Sequence, residues 1–478
     1  MPPLQATPIL LWATFLFSIQ VSLATHSSSP NSRDSHHHVA RARADQVPIQ
    51  VDLHSRGFES AEGNSPVTST HQKRDEPINP GFDYARQKIR GVNIGGWLVT
   101  EPWITPSLYN TGNSKIIDEY TYCGQLGRSE ATKRLHAHWE SFYKEGDFHT
   151  IKSYGLNHVR IPIGYWAFDI SAGEPYVQGQ FEYLKKGVEW ARRAGLKVMI
   201  DLHGAPGSQN GFDNSGRKGP INWATDPKNL VRTKQALAKL AKEFTQPKYA
   251  GTVTSLEALN EPAGFANDGH KTLNAAKQYY YDGYTIVRHP NGQGPQSNVL
   301  YAIHDAFQPL DTWSTAFPQP KYQGLALDTH IYTVFDTPSL QKNDDARVAT
   351  YCGMASGLAR SNSAIWTFVG EFTPAPTDCA PRLNGQGTGA RYDGTFMDSQ
   401  RLGSCQGKSG SAKNFSKEYK TSLARFFEVQ TTVYEKASGW FMWTFKAENA
   451  DDWSYDAGVK GGWIPRDPGS KPHGHPCS

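Results

Sequence analysis

The sequence predicts a single (β/α)8 TIM barrel with long loops. The first observation is that eight short apolar segments alternate with longer amphipathic segments from about residue 88 onward, which is the order of a barrel of parallel strands and covering helices. The second is that no Gly-rich phosphate turn follows the first strand, as it usually does in an open doubly wound sheet. The corresponding stretch is GVNIGGW, where Trp97 occupies the place at which a helix would need open backbone.

Each predicted strand is a short apolar run that ends at polar or turn-forming residues. The eight strands are residues 89–96, 158–165, 196–204, 253–261, 298–305, 325–332, 365–371 and 438–446. The amphipathic segments predict helices at residues 181–194, 229–244, 272–288 and 417–436. In the second of these helices, four apolar side chains recur at helical spacing and predict its buried face: Leu230, Leu237, Leu240 and Ala241.

The first 24 residues predict a cleaved signal peptide. The apolar run 9–23 is shorter than the roughly 20 residues that a membrane span needs, and Ser22 and Ala24 supply the small residues of a cleavage site. No later stretch is long and apolar enough to span a bilayer. We therefore expect a secreted protein that is extracellular or associated with the cell wall.

Residues 25–74 differ in composition from everything that follows. They are rich in Ser, His, Arg and Asp, and Phe58 is their only aromatic residue, so they cannot form a core. The segment ends in the dibasic pair Lys73-Arg74, which is typical of a proprotein processing site. The sequence thus predicts a disordered pro-segment at 25–74 and a catalytic domain at 75–478.

Charge and cysteine content exclude several kinds of protein. The formal net charge of +4 is small for 478 residues, and no Lys/Arg block recurs in the folded part, so we expect no nucleic-acid partner. None of the five cysteines forms a C-x-x-C motif, which leaves zinc and thiol redox chemistry without support. In a secreted chain the odd count predicts two disulfides and one free thiol. The sequence Asn414-Phe415-Ser416 is a glycosylation sequon.

Polar side chains stand at the carboxyl ends of seven of the eight predicted strands. In a TIM barrel these ends meet at one face, which holds the active site. Any one such residue has a structural explanation, but the whole set predicts a common cleft. Its members are Arg160, His203, Asn260, Glu261, His304, Asp305, His330, Tyr332, Glu371 and Trp443.

Two acids of this set, Glu261 and Glu371, come from the fourth and seventh predicted strands. Nearly opposite strands of a narrow barrel place such side chains across a short gap, and paired carboxylates are what glycoside hydrolysis requires. Metal binding is the competing use of converging His, Asp and Glu. The strand-end residues contain no H-x-H or H-E-x-x-H spacing, so we expect no metal and no cofactor.

From about residue 88 to 477 the chain resembles glycoside hydrolase family 5, in particular the fungal exo-β-1,3-glucanases. The resemblance covers nearly all of the predicted mature chain. It rests on these motifs: RGVNIGGWLVTEPWITPSLY, NHVRIPIGYW, DLHGAPGSQNGFDNSG, NEP, HDAF, THIYTVF, VGEF, TDC, GARYDG and GWFMWTFKAEN.

The resemblance implies a role for each matching residue. Glu261 of NEP would be the general acid/base and Glu371 of VGEF the nucleophile. Asn260 would bind the sugar 2-hydroxyl, while Arg160 and Tyr332 would keep Glu371 ionised. The other implied substrate contacts are Glu101, His203, Phe212, Asn214, His330, Phe335 and Trp443. Within this set Trp443 would form the floor of the glucose subsite, and the two phenylalanines would clamp the departing sugar.

The resemblance also implies the disulfides Cys352–Cys477 and Cys379–Cys405, with Cys123 free. Two positions depart from the family pattern. The chain reads EPW where EPY is common, which places Trp103 near the glucose pocket, and GEF where GEW is common. Both changes keep an aromatic ring but lose or move its polar tip.

These observations together predict a retaining exo-β-1,3-glucanase that acts as a monomer on β-glucan polysaccharides or oligosaccharides. Partial burial at the barrel mouth is expected to keep Glu261 protonated while Glu371 is ionised. One alternative is a related β-glucosidase or diglycosidase of the same fold. The other is a barrel that binds glucan without catalysis.

Overall fold

The structure, a computed structural model, describes residues 78–292, 294–474 and 477. The predicted signal peptide and pro-segment lie outside these residues. Eight parallel strands close into a barrel in which each strand pairs with the next and the eighth pairs with the first, so the predicted TIM barrel is confirmed. The strands are β1 (Ile89–Asn93), β2 (His158–Gly164), β3 (Lys197–Gly204), β4 (Val253–Glu257), β5 (Leu300–His304), β6 (Leu325–Ile331), β7 (Trp366–Phe372) and β8 (Gly439–Met442).

Helices cover the outside of the barrel, and all four predicted helices are among them. The α-helices of the described part are α1 (Pro106–Tyr109), α2 (Glu119–Ser141), α3 (Glu145–Ser153), α4 (Gln180–Ala194), α5 (Pro227–Phe244), α6 (Lys271–Arg288), α7 (Asp311–Ala316), α8 (Thr337–Leu340), α9 (Asp344–Cys352), α10 (Ala355–Ala364), α11 (Lys417–Tyr434) and α12 (Tyr455–Gly461). On α5, Leu237, Leu240 and Ala241 are fully buried and Leu230 is partly buried, as the helical spacing predicts.

The end of β4 differs from the prediction of a strand over 253–261. The strand ends at Glu257, and the backbone N–H of Asn260 then donates to the carbonyl of Leu202, 3.0 Å away. Glu261 has a φ of +47°, which a strand cannot contain. Asn260 and Glu261 therefore lie in a tight turn above the strand rather than within it.

The end of β8 also falls short of the predicted 438–446. The strand stops at Met442, and Trp443, whose N–H donates to the carbonyl of Phe372 at 2.9 Å, begins the loop. The peptide bond between Trp443 and Thr444 is cis.

A shift of register between β6 and β7 decides which way Glu371 points. Thr329 pairs with Val369, but the next residue, His330, pairs with Glu371, which leaves Gly370 as the extra residue of a bulge. The N–H of Gly370 donates to Asp328 at 2.6 Å, and a Cβ at this position would collide with the Asp328 carboxylate. Glycine is thus required before Glu371 in the VGEF motif.

The amino-terminal end of the barrel is closed by apolar packing. The inward side chains there form one buried cluster that includes Met199, Phe368 and Phe441. Tyr84 covers this cluster and hydrogen-bonds His158 at 3.2 Å, and Phe82 packs against the same histidine ring. A substrate can reach polar groups inside the barrel only from the opposite end.

Both predicted disulfides are present. Cys352 is joined to Cys477 across 125 residues, and Cys379 is joined to Cys405 across 26 residues. Cys123 is free and buried on α2. Among the described helices, none has the length and apolar character that crossing a membrane requires.

Removal of the two disulfides should cost different amounts of stability. In the chain-entropy model the closed loops of 125 and 26 residues correspond to about 5 and about 3.5 kcal/mol. The double variants Cys352→Ala/Cys477→Ala and Cys379→Ala/Cys405→Ala should therefore both unfold at lower guanidinium concentration, the first more easily. A larger loss of stability in the Cys379→Ala/Cys405→Ala variant than in the other would contradict this account.

Candidate active site

The guanidinium of Arg160 lies at the centre of the barrel and is fully buried. It extends from β2, and its donors reach groups on several other strands. Nη1 donates to Glu371 at 2.9 Å and to Asn93 at 3.0 Å, and Nη2 donates to Asn260 at 2.8 Å. Burial lowers the pKa of Arg160, but the surrounding carboxylates outweigh it and raise that pKa well above its usual value.

Three further buried acids surround Arg160 below the site: Asp201, Glu257 and Asp328. The Arg160 Nε donates to Glu257 at 2.9 Å, and Nη2 lies 3.1 Å from Asp201. These acids are not among the predicted site residues, although the signal was present in the sequence. Asp201 and Asp328 stand two residues before His203 and His330, so each pair shares the inward face of one strand.

Glu371 at the end of β7 has a hydrogen-bond donor on each carboxylate oxygen. Arg160 donates to Oε1, and the hydroxyl of Tyr332 donates to Oε2 at 2.9 Å. Burial raises the pKa of Glu371 above that of an ordinary carboxyl, and Glu261 adds to the rise, while His330 and Arg160 oppose it. Arg160 and Tyr332 were expected to keep Glu371 ionised. Burial has the larger influence on its pKa and acts in the opposite direction.

Glu261 accepts hydrogen bonds from two side chains. His330 Nδ1 lies 2.7 Å from Oε1, and Asn214 Nδ2 donates to Oε2 at 3.2 Å. Burial raises the pKa of Glu261, but the hydrogen bond and charge of His330 outweigh it, so the net direction is downward. Burial, on which the expectation of a protonated Glu261 rests, is therefore not the influence that decides the direction of its pKa shift.

His330 lies between the two acids. Burial lowers the pKa of His330, but the charges of Glu371 and Asp328 and the bond to Glu261 raise it well above its ordinary value. Its Nδ1 is 2.7 Å from Glu261 and 3.5 Å from Glu371. The nearest oxygens of the two acids are therefore at most about 6.2 Å apart, so both carboxylates face one small space.

Several buried polar atoms around these acids lack a protein partner within the described part of the chain. Asn260 uses Oδ1 to bind Arg160 but leaves Nδ2 unpaired, and His203 uses Nδ1 to bind Asp201 at 2.6 Å but leaves Nε2 unpaired. Buried polar groups are normally satisfied, so these atoms suit the hydroxyls of a bound ligand. The indole of Trp443 stacks on His203 at 5.5 Å and 8° and gives the same cavity a flat apolar face.

Glu101 and Trp103 form a pair near the two acids. The indole N–H of Trp103 donates to Glu101 at 2.9 Å, so the tryptophan of EPW still supplies a polar tip. Burial, followed by the charge of Asp213, raises the pKa of Glu101 well above its usual value. Burial also raises the pKa of Asp213 to about 6. Phe372 of GEF packs outward against α11.

Asp213 is a site residue that the sequence analysis missed. Its Oδ2 is buried and has no partner among the described residues. The signal was its place in the GFDNSG motif, directly before Asn214.

The predicted aromatic clamp stands at the rim, with its two rings on separate loops. Phe212 and Phe335 are 42 % and 40 % exposed. Phe212 packs near Phe265, whereas Phe335 packs edge-on to Tyr332 at 5.5 Å. The structure thus leaves these two phenylalanines outside the polar network. The network links Arg160, His203, Asn214, Asn260, Glu261, His330, Tyr332 and Glu371, whereas Glu101 bonds Trp103, His304 accepts from Ala306, and Asp305 accepts from Phe307 and Thr329.

Two groups of side chains place donor atoms close enough for a metal ion: Glu261, His304 and His330, and Glu257, Asp328 and His330. Their atoms already contact one another. His330 binds Glu261 and faces Asp328 at 3.5 Å, and Glu257 accepts from Arg160. Burial and the charges of His330 and Arg160 lower the pKa of His304 well below its usual value. The absence of a metal stays a prediction.

Comparison with protein families decides what the chain is. A family model described as cellulase (glycosyl hydrolase family 5) matches residues 123–378, which is more than half of the chain. The chain belongs to glycoside hydrolase family 5. The predicted family membership and the predicted glycoside hydrolase activity are confirmed.

Relatives of this family 5 hydrolase cover most of its length. It is 46 % identical over 410 residues to a probable glucan 1,3-beta-glucosidase A of Aspergillus niger, covering 85 % of this chain and 94 % of that protein. It is 44 % identical over 391 residues to a glucan 1,3-beta-glucosidase of Blumeria graminis, covering 80 % and 88 %. The solved structure of a rutinosidase from Aspergillus niger is similar with a TM-score of 0.62 at 20 % identity, covering 80 % of this chain and 99 % of that one. At that identity the likeness shows the fold alone.

Replacement of Arg160 in this family 5 hydrolase should destabilise the fold in a pH-dependent way. Arg160→Met leaves buried carboxylates uncompensated, and breaking a buried ion pair costs about 3–5 kcal/mol. Without the cation the pKa values of these acids are higher in the folded than in the unfolded protein, so folded protein gains protons and recovers stability as the pH falls. Urea unfolding should show a large deficit at neutral pH and a smaller one in mild acid.

A matched control for this experiment is Arg134→Met. Arg134 binds Glu130 at 2.6 Å on the exposed face of α2, where an ion pair contributes little to stability. A deficit in Arg160→Met that is no larger than in the control, or that does not change with pH, would contradict the role given to Arg160.

Proposed function

We propose that this protein is a secreted exo-β-1,3-glucanase that releases glucose from the non-reducing ends of β-1,3-glucans with retention of configuration. The observation that carries the proposal is the arrangement of Glu261 and Glu371 around one nitrogen of His330, at 2.7 and 3.5 Å. Two acids held beside one imidazole suit double displacement, in which the carboxyl groups lie about 5–5.5 Å apart, better than the inverting mechanism, in which they lie about 6.5–9.5 Å apart.

The substrate class rests on the relatives. The similar proteins of Aspergillus niger and Blumeria graminis are named glucan 1,3-beta-glucosidases, and this chain covers 94 % and 88 % of their lengths. A β-1,3-glucan, as polysaccharide or oligosaccharide, is accordingly the proposed substrate. The protein is proposed to act as a monomer, without metal or cofactor.

In the first step Glu371 acts as the nucleophile. Its ionised carboxylate attacks the anomeric carbon, and the glycosidic oxygen leaves with a proton from Glu261, so that a glucosyl ester forms on Glu371. Arg160 and Tyr332, which donate to the two oxygens of Glu371, orient the attacking carboxylate. The unpaired Nδ2 of Asn260 is available to the 2-hydroxyl of the sugar.

The proton of the first step comes from the pair formed by Glu261 and His330. In the free protein it rests on the imidazole, because His330 has the raised pKa and Glu261 the lowered one. A bound sugar chain removes water from Glu261 and thereby disfavours its ionised form. The proton then moves across the 2.7 Å bond to Glu261 and on to the leaving oxygen.

In the second step Glu261 acts as a base. It removes a proton from a water molecule, which attacks the anomeric carbon, breaks the ester and frees Glu371. Two inversions at the same carbon restore the β configuration of the product.

The proposed exo mode of attack rests on the residues around the two acids. Glu101 and Asn214 lie beside the acids, and Trp443 with its stacked partner His203 forms a flat floor. Phe212 and Phe335 stand at the entrance. We propose that these groups close the glucose end of the site, so that it admits only the end of a chain and releases glucose one unit at a time.

The route to the outside of the cell is also proposed. A signal peptide at 1–24 and a pro-segment at 25–74, removed after Lys73-Arg74, would leave a mature protein that begins at Asp75. Two disulfides and an exposed Asn414 in the sequon support an oxidising, secretory environment. N-terminal sequencing of secreted protein tests the boundary, and a start at Thr25 would overturn it.

The products formed from laminarin test the proposed function directly. NMR of the first turnovers should show β-glucose, released singly, while the viscosity of the solution falls slowly and chelator has no effect. Early α-glucose would contradict retention, and early long oligosaccharides would contradict the exo mode. Preference for aryl or disaccharide glucosides over laminarin would indicate the related β-glucosidase, and binding without sugar release would indicate a non-catalytic barrel.

Substitution of the two acids should separate their roles. Glu261→Gln should slow laminarin hydrolysis by about 10²–10⁴-fold but affect formation of the glucosyl ester from a dinitrophenyl glucoside far less, because that leaving group needs no proton. Glu371→Gln should abolish both reactions. Glu448→Gln, at an exposed acid bonded to Ser107, is the control and should change neither. Equal losses with both substrates in Glu261→Gln would refute the assignment.

Tyr332→Phe should change the pH dependence of the reaction. The hydroxyl donates to Glu371 and favours its ionised form, so its loss raises the pKa of Glu371 further. Activity that depends on ionised Glu371 is lost as the pH falls through this pKa, so the acidic limb of kcat/KM should move to higher pH. One hydrogen bond to a charged group is worth about 1.5–3 kcal/mol, enough for roughly a tenfold greater loss in acid than at neutral pH.

The control for this measurement is Tyr281→Phe. The hydroxyl of Tyr281 donates to the carbonyl of Ala316 on the outer helices, so its removal should leave the acidic limb in place. If the acidic limb of kcat/KM were the same in Tyr332→Phe as in the unmodified protein, the hydroxyl of Tyr332 would not influence the pKa of Glu371.

A further inference from the structure

A third aromatic side chain, Phe265, extends the rim of the site on the side of Glu261. Among the described residues the large apolar side chains that are exposed are Phe212, Val231, Phe265, Tyr281, Phe335 and Met397. Phe265 is 52 % exposed and follows Glu261 by four residues. Exposed aromatic rings that gather beside a cleft are typical of a binding surface.

The ring of Phe265 lies next to that of Phe212. The centroids of the two rings are 6.4 Å apart and their planes differ by 24°. Phe212 directly precedes the short helical turn Asp213–Ser215, whose Asn214 binds Glu261. The two nearly parallel rings therefore lie on the loops that flank Glu261, the acid that is proposed to protonate the departing part of the substrate.

The backbone holds Phe265 in this position. The N–H of Ala263 donates to the carbonyl of Gln209 at 3.0 Å, and Gly264 packs so tightly on the carbonyl of Ala306 that a Cβ would collide with it. Phe307 then supports the Phe265 ring edge-on at 5.1 Å. The packing of these two loops therefore holds Phe265 in an exposed position.

We propose that Phe265 forms a sugar-binding platform for the second glucose unit on the departing side of a β-1,3-glucan. This inference rests on the proposed function and extends it, because it predicts that the enzyme recognises chain length. Release of one terminal glucose leaves the rest of the chain outside the entrance. A chain leaving past Phe212 next meets Phe265, whose flat ring can pack against the C–H face of a glucose ring.

Phe335, the other rim aromatic, does not extend this surface. It packs near Tyr332 and Trp453, on the loop after β6. The platform is therefore one-sided, formed by Phe212 and Phe265 with Phe307 behind them, and it favours substrates with at least two sugars beyond the cleaved bond.

The test compares laminaribiose, which has one sugar beyond the cleaved bond, with laminaritriose, which has two. In Phe265→Ala the ratio of kcat/KM for laminaritriose to that for laminaribiose should fall by about three- to tenfold, as expected for the loss of one aromatic contact. Phe265→Trp should keep the ratio, whereas Phe265→Leu, which keeps apolar area but no flat ring, should lower it. Val231→Ala, at an exposed residue of α5, is the control and should leave the ratio unchanged.

The outcomes separate this inference from the proposed function. If the unmodified protein releases no glucose from either oligosaccharide, the proposed function fails. If it releases glucose but Phe265→Ala lowers both rates equally or neither, the platform is refuted. A ratio in Phe265→Leu equal to that of the unmodified protein would also refute it, because stacking would not be required.

Discussion

The buried charge of Arg160 is the interaction on which the rest of the structure depends. A guanidinium without solvent costs several kcal/mol unless carboxylates compensate it, and here the compensating groups come from β3, β4, β6 and β7. The same contacts that satisfy the cation bring these strands to a common centre. Arg160 also donates to Glu371 and Asn260 and fixes their positions. The contacts that make its burial possible are therefore the same contacts that set the geometry of the site.

Much of this architecture could be predicted from sequence because it is periodic. The eight strands and the tested helices follow from apolar patterns, and the motifs identified the family, the glycoside hydrolase activity and the disulfides. The ends of β4 and β8 were predicted too long, because the turn at Glu261 and the loop at Trp443 are set by hydrogen bonds to neighbouring strands. The apolar pattern of a sequence does not reveal such hydrogen bonds.

The protonation of the site is what sequence could not predict. Burial of Glu261 was foreseeable, but its net pKa depends on His330, which arrives from a different strand at 2.7 Å. Asp201, Glu257 and Asp328 were overlooked because each is a single acid inside an apolar strand. That these acids face the inside of the barrel suggests a function only once Arg160 is known to lie among them. The roles given to the site residues stay predictions until variants are measured.

The central claim is that Glu371, held by Arg160 and Tyr332, forms a covalent bond to the sugar. The most direct measurement is to incubate the protein with dinitrophenyl 2-deoxy-2-fluoro-β-glucoside, which forms the ester but hydrolyses slowly, and to map the labelled peptide by mass spectrometry. The account predicts one fluoroglucosyl group per protein, on Glu371, with release of one dinitrophenolate. A label on Glu261 or another residue, or turnover without any trapped ester, would contradict it.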